Sequence, residues 1–112
     1  MRMEGDDWEP ISAADLSARV SEEAKELTAE DRERFETWRA EPGMRASIFR
    51  SESHGAESVY VLAKVGSSVL FFDDVEDEFA VGRLGDDGLI SSPGLAGELR
   101  SALQSLSLLS TA

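Results

Sequence analysis

Ser58-Val59-Tyr60-Val61-Leu62-Ala63-Lys64-Val65-Gly66-Ser67-Ser68-Val69-Leu70-Phe71-Phe72 is two apolar runs separated by two residues. Each run is rich in β-branched and aromatic side chains, which suit the pleated surface of a strand. Gly66-Ser67 matches a two-residue mirror-image turn, whose first position needs a positive φ that glycine supplies without steric cost. The stretch therefore predicts an antiparallel hairpin, and the period of two continues on both sides of it. Upstream, Met44 to Ser51 alternates. Downstream, Glu78 to Leu84 puts Phe79, Val81 and Arg83 on one side, and Gly85-Asp86-Asp87-Gly88 forces a reversal into Leu89-Ile90. The expectation is an antiparallel meander of four to five strands.

Further outward the period changes to that of a helix. Ser12 opens Ser-Ala-Ala-Asp, an N-cap with a carboxylate three residues on, and Leu16, Val20, Ala24 and Leu27 recur at helical spacing. Thr28 opens a second such box leading into a helix from Asp31 to Ala40, where Phe35 and Trp38 share a core-facing side. Glu41-Pro42-Gly43 stops it, because proline cannot donate to a helical ladder and biases the preceding residue away from helical angles. After Ser92-Pro93-Gly94, the spacing of Leu95, Leu99, Leu103 and Leu106 predicts a closing helix. Helices before and after a sheet make an α+β domain. One domain over residues 1–112 is expected, with 1–10 flexible and 105–112 frayed.

Composition narrows the function. The 112 residues hold 11 Lys plus Arg against 23 Asp plus Glu, a formal charge of -12, with an isoelectric point near 4.3. That charge opposes binding to nucleic acid or to an anionic membrane surface. With no Cys and one His, disulfides, thiol catalysis, zinc-thiolate sites and multi-histidine metal sites are excluded. The start, Met1-Arg2-Met3-Glu4-Gly5-Asp6-Asp7, is acidic, and no apolar run reaches signal or membrane-span length. A cytoplasmic protein is expected.

The acids concentrate. Residues 71 to 88 carry Asp73, Asp74, Glu76, Asp77, Glu78, Asp86 and Asp87 against Arg83 alone. Five of these carboxylates, Asp73, Asp74, Glu76, Asp77 and Glu78, fall in one turn between the aromatic strand residues Phe72 and Phe79. The plain reading is a solvated connection that keeps the protein soluble. A cation site is a second, but the order of these acids lacks the alternation, the Gly and the terminal Glu of an EF-hand loop, so no metal and no cofactor is expected. A third is a docking surface for a basic protein, whose Lys and Arg would relieve the repulsion.

Other candidates are weaker. His54 lies beside Ser53 in a loop by composition and lacks an orienting acid or oxyanion donors in sequence. Asp74 and Glu76 would serve as an acid-base pair only within a walled cleft, which a chain of this length rarely builds. Gly82-Arg83-Leu84-Gly85 and Gly85-Asp86-Asp87-Gly88 are turn glycines without the helix-opening context or the Lys of a phosphate loop. Trp8, in the acidic start, either staples onto the domain or anchors a partner. No catalytic site is expected.

Val59 to Val65, then Gly66-Ser67-Ser68, then Val69 to Phe79 resemble the middle of a group of small bacterial proteins. That group carries an aromatic-aromatic-Asn-Asp-Ile-Glu-acid-Gly-Phe-Asn signature after a glycine-containing hairpin, with a Trp-containing helical region before it and a Gly-Ile strand after it. Here Phe71-Phe72, Asp74, Glu76, Phe79 and Gly88-Leu89-Ile90 match; Asp73 replaces Asn, Glu78 replaces Gly and Ala80 replaces the second Asn. The resemblance covers residues 57 to 92. It implies a protein of immunity type, which neutralises a toxin by binding it. The expectation is an acidic, non-enzymatic immunity protein or antitoxin that occludes a basic toxin domain, using Asp73, Asp74, Glu76, Asp77, Glu78 and Trp8. The alternative is a structural or regulatory module that forms a homodimer through its sheet, its acids serving solubility alone.

Overall fold

The computed structural model describes residues 11–51 and 55–110. Val65 and Ser68 face each other across Gly66-Ser67, and Gly66 has φ +61° while Ser67 keeps a negative φ, so the central hairpin turns as its sequence predicts. The elements are α1 (Ala13–Ala24), α2 (Ala29–Trp38), β1 (Arg45–Ser51), β2 (Gly55–Val65), β3 (Ser68–Asp73), β4 (Glu78–Leu84), β5 (Leu89–Gly97) and α3 (Leu99–Ser110). The fold is α+β, with two helices before the sheet and one after it.

The expected antiparallel meander is present with five strands in the order β1-β2-β3-β4-β5, and it closes into a barrel. An up-and-down path of an odd number of strands leaves the first and last running the same way, so closure must be parallel. It is, through Ser47↔Leu89 and Ile48↔Ile90. Closure gives the sheet an inside. Ala46, Ile48, Val59, Val61, Val69, Phe71, Ala80 and Ile90 fill it. The outer faces of β3 and β4 present Leu70, Phe72, Phe79 and Val81 to a second core completed by Leu16, Val20, Leu27, Phe35, Leu99, Ala102, Leu103 and Leu106 from the helical segments. β3 lies between the two cores, and all six of its residues are buried. That explains why Val69 to Phe72 is continuously apolar rather than alternating.

The helices start where the caps predict. Ser12 accepts from the Asp15 amide and Thr28 from the Asp31 amide, each at 3.1 Å. α2 begins two residues before the expected Asp31 and ends at Trp38, because Arg39 is already extended, with ψ 132°. Trp38 is half-buried against the helix-side core, as its spacing with Phe35 implies.

One boundary is corrected. Ser92-Pro93-Gly94 does not end the strand, and Leu95 is not helical: β5 runs on to Gly97 and α3 starts at Leu99. The reason lies in the β4–β5 register, where Arg83↔Ser91 is followed by Val81↔Gly94 and Ala80↔Leu95 by Phe79↔Gly97. Each step gives β5 one extra residue. A bulge tolerates a proline that a regular ladder would reject, and it coils the strand around the barrel. At its other end α3 continues to Ser110 and buries Leu106, beyond the expected fraying point at 105. No helix among the described residues is long and apolar enough to cross a membrane.

Two glycines carry stringent demands. Gly66→Val should destabilise the domain by about 1–2 kcal/mol, since a branched residue must hold a left-handed φ. Gly82 sits where a Cβ would lie 2.6 Å from Ile90 Cγ2 and 3.1 Å from the Ser91 carbonyl oxygen. Gly82→Ala should therefore overpack the barrel and cost about 1–3 kcal/mol. Chemical denaturation of both variants checks these values, and an unchanged midpoint for either would remove its stated constraint.

Candidate functional site

The acidic turn joining β3 to β4 is held from within. Asp73, only 3% exposed, accepts at Oδ1 from the amides of Val75 (3.2 Å) and Glu76 (3.1 Å). This side-chain cap folds the turn back on itself. It is a contact that an Asn carbonyl oxygen would make equally, so the Asp-for-Asn departure at 73 leaves the turn intact. Four residues on, Asp77 adopts φ +60°, a left-handed conformation that non-glycine residues hold only with support. Arg19 of α1 provides it: Nη1 donates to Asp77 Oδ1 at 2.6 Å and Nη2 to the Asp77 carbonyl at 3.2 Å. The same guanidinium lies 5.0 Å from the Phe72 ring and 5.7 Å from Phe79, two rings in edge-to-face contact at 5.1 Å. An aromatic face attracts a cation, so Arg19 is fixed by ring and carboxylate together. Its Nε also meets Glu23 Oε2 at 3.3 Å, and Glu23 Oε1 accepts from the Leu99 amide at 2.8 Å, which caps the start of α3.

Asp74 fastens the other end of α1. Its Oδ2 accepts from the Ile11 amide at 3.2 Å, while its Oδ1 is buried and meets no donor among the described residues. Burial pushes the Asp74 pKa above the ordinary Asp value; the Ile11 amide opposes the shift, and the charges of Glu57 and Asp73 add to it. Three of the five predicted carboxylates thus have internal work. Glu76 and Glu78 form no ion pair among the described residues, and Val75, 49% exposed, stands beside them at the tip. Glu78 opens β4 in pair with Asp73, so the residue standing where the resembled group has Gly is extended, and the left-handed position is Asp77. Trp8 and His54 lie outside the described residues. No group of His, Asp or Glu among the described residues is arranged to hold a metal ion.

A second feature was not legible in the sequence. β2 has an extra residue, Leu62, between Val61↔Phe71 and Ala63↔Leu70. At this bulge the outer partner of β2 changes: Val61 donates to the Met44 carbonyl, whereas Leu62 accepts from the Ala40 amide, both at 2.9 Å. Glu41-Pro42-Gly43 crosses the gap, turning at Gly43 with φ +81°. Between this connection, β2 and α1 lies a cleft of about 380 Å³, with Leu16, Val20 and Leu62 among its apolar walls and Arg39, Glu41 and Tyr60 among its polar ones. The Arg39 guanidinium is engaged, 3.3 Å from Glu36 and 4.7 Å from the Phe35 ring centroid. Tyr60 is the cross-strand neighbour of Phe72, which pairs with Phe79. One row of rings therefore runs from the cleft to the base of the acidic turn.

Because Asp74 holds its proton more tightly folded than unfolded, the ionised carboxylate detracts from stability at neutral pH, and acidification through the raised pKa favours the folded state. Asp74→Asn keeps an oxygen for Ile11 and removes the buried charge. Its melting temperature should exceed the parent's at neutral pH, with the difference narrowing as pH falls below the raised value. Thermal unfolding across pH measures this, and a constant gap would assign the effect to something other than the charge. Comparison with protein-family models, with curated proteins and with solved structures returned no match to this chain.

Proposed function

We propose that this chain is a cytoplasmic, non-enzymatic acidic binding protein of immunity or antitoxin type, which blocks a basic toxin domain by occupying its active face. The observation that supports this most is the pre-built acidic turn. Asp73, Asp74 and Asp77 spend their carboxylates on folding the turn and fastening it to α1, so Glu76, Glu78 and the exposed Val75 are offered on a fixed frame. A surface ordered before binding loses less entropy on association. The overall charge of -12 would steer it toward a surface built to hold phosphate, which must be rich in Lys and Arg. The mechanism is occlusion, with acids governing encounter and apolar contacts governing residence.

The competing reading, a homodimer through the sheet, has less surface to draw on. The inner face is filled and the helices cover β3 and β4, which leaves the outer side of β1, the first half of β2 and part of β5, where the exposed apolar side chains are Phe49 at 55% and Leu95 at 52%. Two copies of this charge also repel.

The discriminating measurement is association kinetics of Glu76→Gln/Glu78→Gln with the product of an adjacent toxin-like gene, at low and at physiological salt. Neither residue has an ion pair among the described residues, so the fold should persist. The on-rate should fall several-fold and lose part of its salt dependence, with a smaller change in off-rate. Unchanged rates in a folded variant would return the turn to solubility alone and leave the homodimer ahead.

A further inference from the structure

We propose that Arg19 is the positioning residue of the acidic turn: it holds Asp77 in the left-handed conformation and so sets the directions in which Glu76 and Glu78 leave the barrel. Among the described residues six have a positive φ; Gly43, Gly55, Gly66, Gly88 and Gly97 are five of them, and Asp77 is the sixth. Glycine holds that conformation without steric cost, whereas Asp77 needs a contact to offset it. The Asp73 cap orders the Val75 and Glu76 amides in the first half of the turn. Arg19 orders the second half. Its guanidinium donates from Nη1 to the Asp77 carboxylate at 2.6 Å and from Nη2 to the Asp77 carbonyl at 3.2 Å. Two donors in a planar fork fix the orientation of a residue as well as its distance.

An exposed ion pair is ordinarily weak, because two long side chains must be ordered to form it. Here the Asp77 side chain is 75% exposed and that of Arg19 31%, but Arg19 is ordered beforehand. Its guanidinium lies against the buried rings of Phe72 and Phe79, and its Nε meets Glu23, which is itself held by the Leu99 amide. The cation is thus a fixed point on α1 against which the turn is set. Its sign points the same way. A basic residue inside an acidic docking surface repels a basic partner, so steering alone would favour its absence. A geometric duty accounts for its presence. The consequence for binding rests on the reading above, and the positioning itself does not.

The test uses the full chain, isotope-labelled for NMR, with no partner added. In the parent, Asp77 should show the strong intraresidue amide-to-Hα cross-peak of a left-handed residue. Arg19→Met keeps an unbranched stem over the rings and removes the fork. The cross-peak should weaken several-fold, and the residual dipolar couplings of the Val75, Glu76 and Glu78 amides should change while those of the strands stay. Arg19→Gln, made alongside it, should act alike. Arg19→Met/Asp77→Gly should bring the turn couplings back to the parent values, since glycine needs no support, and it keeps the formal charge at -12 because one charge of each sign is lost. A parent cross-peak and parent couplings in Arg19→Met overturn the proposal, the turn then being held by its length and the Asp73 cap. So do altered couplings that Asp77→Gly does not restore, because Arg19 would then serve only the packing of α1. Association with the product of the adjacent toxin-like gene tests the consequence. Arg19→Met is more acidic than the parent, so steering alone predicts tighter binding, whereas lost positioning predicts a Kd several-fold higher that the double variant recovers. Tighter binding removes the role in docking, and no binding by the parent sinks the immunity reading while the NMR result stands.

Discussion

Burial of β3 on both faces is the constraint on which the rest of the structure depends. A strand with one apolar side can rest on a single layer, but Val69 and Phe71 point into the barrel while Leu70 and Phe72 point to the helices. Both layers must exist for those side chains to leave water, and four such residues represent several kcal/mol of transfer free energy. The barrel must close to supply one layer, and α3 must dock to supply the other. Everything placed at the end of β3, including the acidic turn, inherits that rigidity.

Much of this was legible along the chain. The central hairpin, both helix caps and the Phe35–Trp38 face are local features, set by φ requirements, by hydroxyl caps and by spacing, and all appear where their residues imply. What was not legible is long-range. Closure depends on Ser47 and Ile48 meeting Leu89 and Ile90, and nothing in an alternating pattern distinguishes a curled sheet from an open one. Pro93 reads as a break by its own chemistry, yet a bulge created by the register with β4 accommodates it.

The site divides along the same line. Five acids within six residues read as one block of like charge, because composition cannot show that the Asp74 carboxylate meets an amide 63 positions away or that Asp77 meets Arg19 58 positions away. The result is a turn in which part of the charge is structural and part is on offer. The cleft beside Tyr60 left no trace in sequence, since its walls come from α1, β2 and the connection after α2, which only the fold brings together.

The Glu23 carboxylate that caps α3 from 76 residues upstream bears on the order of assembly. α3 begins without a capping hydroxyl or amide of its own: Gly97 and Glu98 precede it, and its first free amide is satisfied only when α1 is already in place. A helix whose first turn depends on a distant element is a late folder, because the long intervening loop must close before that contact repays its entropy. The twelve-residue α3 completes the core around Phe72 and Phe79, and before it docks the group that α1 places against those rings is the Arg19 guanidinium, 5.0 and 5.7 Å from their centroids.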